Sequence, residues 1–64
     1  MNHMSEIRKA RGLTQEALAE KVGITQAVVS RYESGDRFPK LTIAAKIAEA
    51  LGCKVDDLID KEGS

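Results

Sequence analysis

The stretch QEALAEKVGITQAVVSRYES, residues 15–34, decides the fold of this chain. Its first half carries an apolar stripe at helical spacing, made by Leu18, Ala19 and Val22. Gly23 follows the stripe directly, and glycine readily adopts the left-handed conformation in which many helices end. Thr25 is a good N-cap for a second helix. The sequence therefore predicts two short helices joined by a tight turn.

The second helix of this pair has two different faces. Val29 and Tyr32 share one side at about 3.6 residues per turn. The other side is free, with Gln26 in the first turn, Val28 on the flank, and Ala27, Ser30, Arg31 and Ser34 along it. Gln can pair with adenine, Arg can pair with guanine, and Ala or Val can contact a thymine methyl group. The stretch thus has the sequence form of a helix-turn-helix, which indicates duplex DNA as the ligand.

A wider set of residues keeps a specific spacing: Leu13, Gln15, Leu18, Ala19, Gly23, Ile24, Val29, Glu33, Gly35, Pro39, Leu41, Leu51, Gly52 and Leu58. With this spacing, Ile7–Ile59 resembles the lambda-repressor-like family, also called the Cro/CI or XRE type. The resemblance implies an all-α fold, a compact five-helix domain with the helix-turn-helix at helices two and three. It also implies binding to operator DNA.

The resemblance further implies roles for single residues. It places a phosphate contact at Gln15 and phosphate contacts from the following loop at Arg37 and Lys40. It places base contacts at Gln26, Ala27 and Arg31 on the recognition helix. The full candidate DNA-binding set is Gln15, Thr25, Gln26, Ala27, Val28, Ser30, Arg31, Arg37 and Lys40.

Two further positions follow from the same resemblance. Some members pair an Arg in the first helix with a Glu that ends the third, and Arg8 and Glu33 occupy those positions, so we expect a structural ion pair. Lys40 departs from the family pattern, which often has a capping Ser before the fourth helix. Thr42 is not expected to replace that cap.

The remaining helices follow from apolar spacing and glycines. Helix one is expected over Ser5–Arg11, helix four over Leu41–Leu51 and a short helix five over Val55–Ile59. The apolar stripe of helix four consists of Ile43, Ile47, Ala48 and Leu51. Tyr32 and Phe38 are both expected in the core, with Phe38 folded back from its loop.

The expected DNA-binding domain spans residues 4–60, and residues 61–64 are expected to form a frayed tail. Residues 1–3 fit a cloning remnant, a disordered N terminus or native sequence equally well. A core of this size is marginal, and 42% hydrophobic residues with few aromatics suit a small helical bundle. The single cysteine excludes an internal disulfide.

Several classes of protein are disfavoured by the sequence. No apolar run approaches the roughly 20 residues that span a bilayer, and no signal peptide is visible, so we expect a cytoplasmic protein without a membrane partner. No nucleophile–base pair, glycine-rich phosphate loop or Cys/His cluster is present. We therefore expect no enzyme, no cofactor, no metal site and no small-molecule ligand.

The net charge of zero counts at first sight against nucleic-acid binding. Its distribution weakens that objection, because residues 1–40 hold seven basic and five acidic side chains, whereas residues 41–64 hold three basic and five acidic. Modest non-specific affinity is expected, so base contacts and dimerisation must supply more of the specificity.

The sequence thus favours a transcriptional repressor that binds a palindromic operator as a homodimer. The expected dimer interface is a C-terminal apolar patch of Val55, Leu58 and Ile59; alternatively, these residues only close the core of their own domain. The alternative function is a protein–protein interaction module, or an antitoxin-type partner-binding protein, on the same fold. The free face of the second motif helix has no acid before Glu33, which favours DNA.

Overall fold

Five helices make up the part of the chain that the structure describes. The structure is a computed structural model, and it describes residues 3–58. The helices, in chain order, are α1 (Met4–Ala10), α2 (Gln15–Val22), α3 (Gln26–Ser34), α4 (Leu41–Leu51) and α5 (Val55–Leu58). This confirms the all-α, five-helix fold, and α4 has the predicted bounds. Ile59, the predicted frayed tail and the first two residues lie outside the described residues.

The pair α2–α3 forms because both helices carry strong start and stop signals. Thr14 Oγ1 accepts the Ala17 amide at 3.0 Å, and Thr25 Oγ1 accepts the Val28 amide at 3.2 Å. Gly23 ends α2 with φ 86°, and its amide donates to the Ala19 carbonyl at 2.8 Å. A left-handed glycine there turns the chain within two residues, so α3 packs directly across α2.

The core lies between α2, α3 and α4 and is closed at its ends by residues of α1 and α5. Its fully buried side chains are Leu18, Val29, Ile47 and Leu51. Ala19 is also buried, and its small size lets α2 and α3 approach closely. Tyr32 is buried as predicted, and Ala44 joins the buried face of α4, although the predicted stripe did not contain it.

Phe38 corrects one prediction, because its side chain does not fold onto the core. It is 71% exposed. Tyr32 is buried at this end of the core, and the half-buried Ile43 packs against the core beside it. The loop between α3 and α4 is short and its Arg37 amide donates to the Arg31 carbonyl at 3.3 Å. Phe38 is therefore left at the surface, where it lines an open groove together with Tyr32 and Ile43.

Leu58 corrects a second prediction. Its side chain is only 4% exposed and packs in the core of its own domain, so it does not extend an exposed dimer patch. The backbone adds to this, since the His3 amide donates to the Leu58 carbonyl at 2.7 Å. Val55 is half-buried against the same core. Leu58 and Val55 therefore close the core of their own domain, which was the alternative to a dimer patch.

The start of α4 lacks a side-chain cap. Lys40 occupies the N-cap position with an extended backbone and makes no side-chain cap hydrogen bond. The helix begins there nevertheless, with the Ala44 amide bonded to the Lys40 carbonyl at 2.8 Å. Its buried face, rather than a cap, stabilises this helix. At 11 residues α4 is the longest helix among residues 3–58, and no helix there is long and apolar enough to cross a membrane.

Candidate nucleic-acid interface

The free face of α3 is exposed to solvent. Gln26, Ala27, Ser30 and Arg31 are all exposed, whereas Val28 is half-buried at the edge of the core. Val29 and Tyr32 hold the opposite face of the helix in the core. The Arg31 side chain has no hydrogen bond or ion pair with the residues that the structure describes. The structure thus presents the residues that were predicted to read bases together on one open surface.

Gln26 is linked to the body of the domain through Gln15. Gln26 Nε2 donates to Gln15 Oε1 at 2.8 Å, and Gln15 Nε2 donates to Glu33 Oε1 at 2.9 Å. A carboxylate only accepts hydrogen bonds, so Glu33 fixes which end of the Gln15 amide faces it. The Gln15 oxygen must then face Gln26 and accept from it. This orders the amide of Gln26 and leaves its own oxygen and its second N–H directed elsewhere.

Glu33 is itself held by Arg8. Arg8 Nε donates to Glu33 Oε2 at 2.6 Å and Arg8 Nη2 donates to Glu33 Oε1 at 3.3 Å. Arg8 Nη1 donates to the Leu13 carbonyl at 2.7 Å. The two side chains are only 9% and 8% exposed. The planar guanidinium matches a carboxylate with two parallel bonds, so this pair fixes α1 against the end of α3.

We call the four linked side chains Arg8, Glu33, Gln15 and Gln26 the polar chain. It runs from a buried ion pair to the exposed first turn of α3. Every link joins a donor to an acceptor, which is what a buried polar group needs to remain stable in the fold. The sequence placed Gln15 and Gln26 only as separate DNA contacts. Nothing in their spacing indicated that they bond to each other, because that depends on how α2 and α3 cross.

The loop between α3 and α4 forms a second group of exposed residues. Arg37 and Lys40 have no side-chain partner among residues 3–58, and both are exposed. They line an open groove beside α3 with apolar and neutral side chains; the groove is lined by Ile24, Val28, Tyr32, Arg37, Phe38, Lys40, Thr42 and Ile43. The set holds two cations and no carboxylate. Thr25, at the start of α3, is exposed and engages its hydroxyl in the cap bond.

The remaining candidates for chemistry are the metal-binding residue types of the described part of the chain and the Cys53 thiol. No group of three or more His, Cys, Asp or Glu side chains in residues 3–58 is arranged to hold a metal ion. Burial raises the pKa of the Cys53 thiol, the Asp57 carboxylate raises it further, and Arg11 acts in the opposite direction. The raised pKa disfavours the thiolate, which is the nucleophilic and metal-binding form of cysteine.

The helix-turn-helix family of DNA-binding domains matches residues 4–58 of this chain. The chain belongs to this family. Its match is of the lambda-repressor-like, or Cro/CI, type that the spacing of residues 7–59 resembles. The protein is therefore a DNA-binding transcription-regulator domain and not an enzyme.

Individual relatives agree with the family. The chain is 44% identical over 62 residues to an uncharacterized HTH-type transcriptional regulator of Methanothermobacter thermautotrophicus, covering 92% of this chain and 90% of that protein. It is 40% identical over 57 residues to the uncharacterized regulator YgzD of Bacillus subtilis, covering 89% and 86%. It is 39% identical over 51 residues to the cryptic phage CTXphi transcriptional repressor RstR of Vibrio cholerae, covering 80% of this chain and 46% of that repressor.

Proposed function

We propose that this helix-turn-helix protein represses transcription by binding a specific palindromic operator in double-stranded DNA as a homodimer. The observation that carries the proposal is the polar chain. It holds Gln26 at the exposed first turn of α3 through the 2.8 Å bond to Gln15. One oxygen and one N–H of the Gln26 amide remain, and this pair of groups is what recognises adenine in the major groove.

The proposal assigns roles by position. Gln26, Ala27 and Arg31 contact bases, with Val28 and Ser30 beside them on the same helix. Arg37 and Lys40 contact phosphates from the loop. Gln15 keeps a second N–H after its bond to Glu33, and Thr25 keeps its hydroxyl hydrogen after accepting the Val28 amide, so both can donate to phosphate oxygens.

A homodimer is part of the proposal because one recognition helix reads too few base pairs for a useful specificity ratio in a genome. Two copies with their recognition helices about 34 Å apart read two half-sites of one operator. The C-terminal end of the domain, with Val55 and Ile59 but without the buried Leu58, is the proposed contact between copies. Repression needs no domain beyond one that occupies a promoter, and the relative RstR is named a repressor.

The decisive experiment is a selection from random duplexes with the purified protein, followed by binding measurements on the selected duplex. We expect Arg31→Ala to weaken that binding by about 1–3 kcal/mol and to relax preference at one base pair. The matched control is Lys46→Ala, which removes an exposed cation from α4 and should leave base preference unchanged. Equal losses on selected and random duplexes would reassign Arg31 to phosphate.

One outcome would replace the proposed function, and another would remove only the homodimer from it. If the wild-type protein shows no sequence preference at low salt, the protein–protein interaction module becomes the better interpretation. Sedimentation with and without the selected duplex tests the dimer. We expect weak self-association that DNA strengthens, and a strict one-to-one complex on a palindromic duplex would contradict it.

A further inference from the structure

Phe38 and Leu41 are the exposed large hydrophobic residues of the described part of the chain, at 71% and 74%. Together with Arg37 and Lys40 they form what we call the loop patch. An exposed aromatic ring between two cations is not needed for the fold, since the core closes without it. The phosphate contacts proposed for Arg37 and Lys40 leave this ring unexplained.

The loop patch lies beside the recognition helix. Phe38, Arg37 and Lys40 line the same groove as Ile24, in the turn between α2 and α3, and Val28, in the first turn of α3. The Arg37 amide is also bonded to the Arg31 carbonyl at 3.3 Å, which holds the loop against the end of α3. Whatever α3 binds through its free face is therefore bordered by the loop patch.

The charge of the groove lining favours a nucleic-acid backbone over a second copy of the chain as its occupant. Its lining has two cations and no carboxylate. A second groove, between α2 and α4, is lined by Lys21, Val22, Lys46, Glu49 and Ala50 and so mixes both signs. A second copy of the chain docked patch to patch would bring four cations together. A nucleic-acid backbone instead supplies the negative charge that Arg37 and Lys40 lack.

We propose that Phe38 is an apolar DNA contact, whose ring packs against the deoxyribose of the strand that Arg37 and Lys40 hold by its phosphates. This inference rests on the proposed function and extends it to one more residue. Sugar carbon atoms offer an apolar surface between charged phosphates, and burying the ring against them removes apolar area from water. The contact positions α3 in the groove without reading a base.

The first test uses the salt dependence of binding. Wild type, Phe38→Ala and Lys40→Ala are compared on the selected duplex and on a random-sequence duplex over a sodium chloride series. Phe38→Ala should weaken binding to both duplexes by about tenfold at every salt concentration, because an apolar contact releases no counterions. Lys40→Ala should lower the logarithmic salt slope by about 1. Unchanged melting of Phe38→Ala shows that the loss is not one of folding.

A duplex carrying one half-site separates DNA contact from self-association. If Phe38 contacts DNA, Phe38→Ala loses the same factor on the half-site as on the full site. A loss confined to the full site would assign the ring to contact between two copies and overturn the inference. If Phe38→Ala binds like wild type while Arg31→Ala loses specificity, the Phe38 contact is wrong and the proposed function stands. If the wild-type protein shows no sequence preference, the proposed function is wrong. Binding of Phe38→Ala to the random duplex then still tests whether Phe38 contacts DNA.

Fluorescence gives an independent readout, because the chain contains no tryptophan. Phe38→Trp places a single indole in the loop patch, and its emission should change on addition of the random duplex. Lys46→Trp, in the groove of mixed charge, is the matched control and should not respond. Unchanged emission from Phe38→Trp at saturating DNA would contradict the contact.

Discussion

The polar chain and the loop patch flank the same recognition helix, yet they are built in opposite ways. In the polar chain each side chain is bonded to the next, from Arg8 to Gln26. In the loop patch Arg37 and Lys40 have no side-chain partner among residues 3–58. Gln26, one of the residues proposed to read bases, is thus ordered before DNA arrives, which lowers the entropy lost on binding, whereas the Arg31 side chain is not held in this way. The groups proposed to hold the backbone become ordered only with DNA.

The largest effect is expected from a substitution that disrupts the polar chain at its buried ion pair. Glu33→Gln leaves the Arg8 guanidinium without a carboxylate, and we expect the free energy of unfolding to fall by about 3–5 kcal/mol. Urea denaturation of Glu33→Gln and wild type measures this difference in the free energy of unfolding. The matched control is Glu6→Gln, which removes the charge of the exposed carboxylate that His3 Nδ1 contacts and should change stability by about 0–1 kcal/mol. A Glu33→Gln protein that unfolds with wild type would mean that the ion pair contributes nothing.

Removing the middle side chain of the polar chain should affect base preference more than stability. Gln15→Ala removes two hydrogen bonds, each with a net value of about 0.5–1.5 kcal/mol, so a modest loss of stability is expected. Gln26 then loses its orientation, and preference at the base pair it reads should relax in a repeated selection. Glu20→Ala, an exposed change on the same helix, is the control. Full base preference in Gln15→Ala would show that Gln26 needs no support.

The smallest expected effect comes from the loop side and has opposite signs in two assays. Lys40→Ser supplies the side-chain cap that α4 lacks, which should raise the free energy of unfolding by about 1 kcal/mol. The same change removes a proposed phosphate contact and should weaken DNA binding. Lys40→Ala removes the cation without supplying a cap, so it should weaken binding without the gain. Tighter binding by Lys40→Ser would contradict the phosphate role.

The parts of the fold that could be predicted depend on local signals. Thr25 before α3 and Gly23 after α2 act within a few residues, so the sequence alone locates the motif. The pairing of Arg8 with Glu33 was expected only through the family resemblance, because 25 positions separate them. Whether Phe38 folds inward depends on whether the core has room. That is a property of packing between distant helices, which no local pattern of apolar residues contains.

The same limit applies to Leu58 and Gln15. In a helix of four residues, apolar spacing cannot tell which side faces the domain and which faces outward. The bond between Gln15 and Gln26 needs the crossing of α2 and α3 in three dimensions. The reading face, in contrast, was predictable because Val29 and Tyr32 fix by exclusion which side of α3 stays free.

The hydrogen bond from the His3 amide to the Leu58 carbonyl, 2.7 Å long, brings the two limits of the described chain together. A first and a last helix that meet in this way are the geometry in which circular permutation and insertion into a host protein are tolerated. A short linker from the C-terminal to the N-terminal side would close the ring, and the surface turn at Gly52 offers a new opening. A sensor or effector domain joined directly at His3 or at Leu58 would leave the folded unit from the same side of its surface.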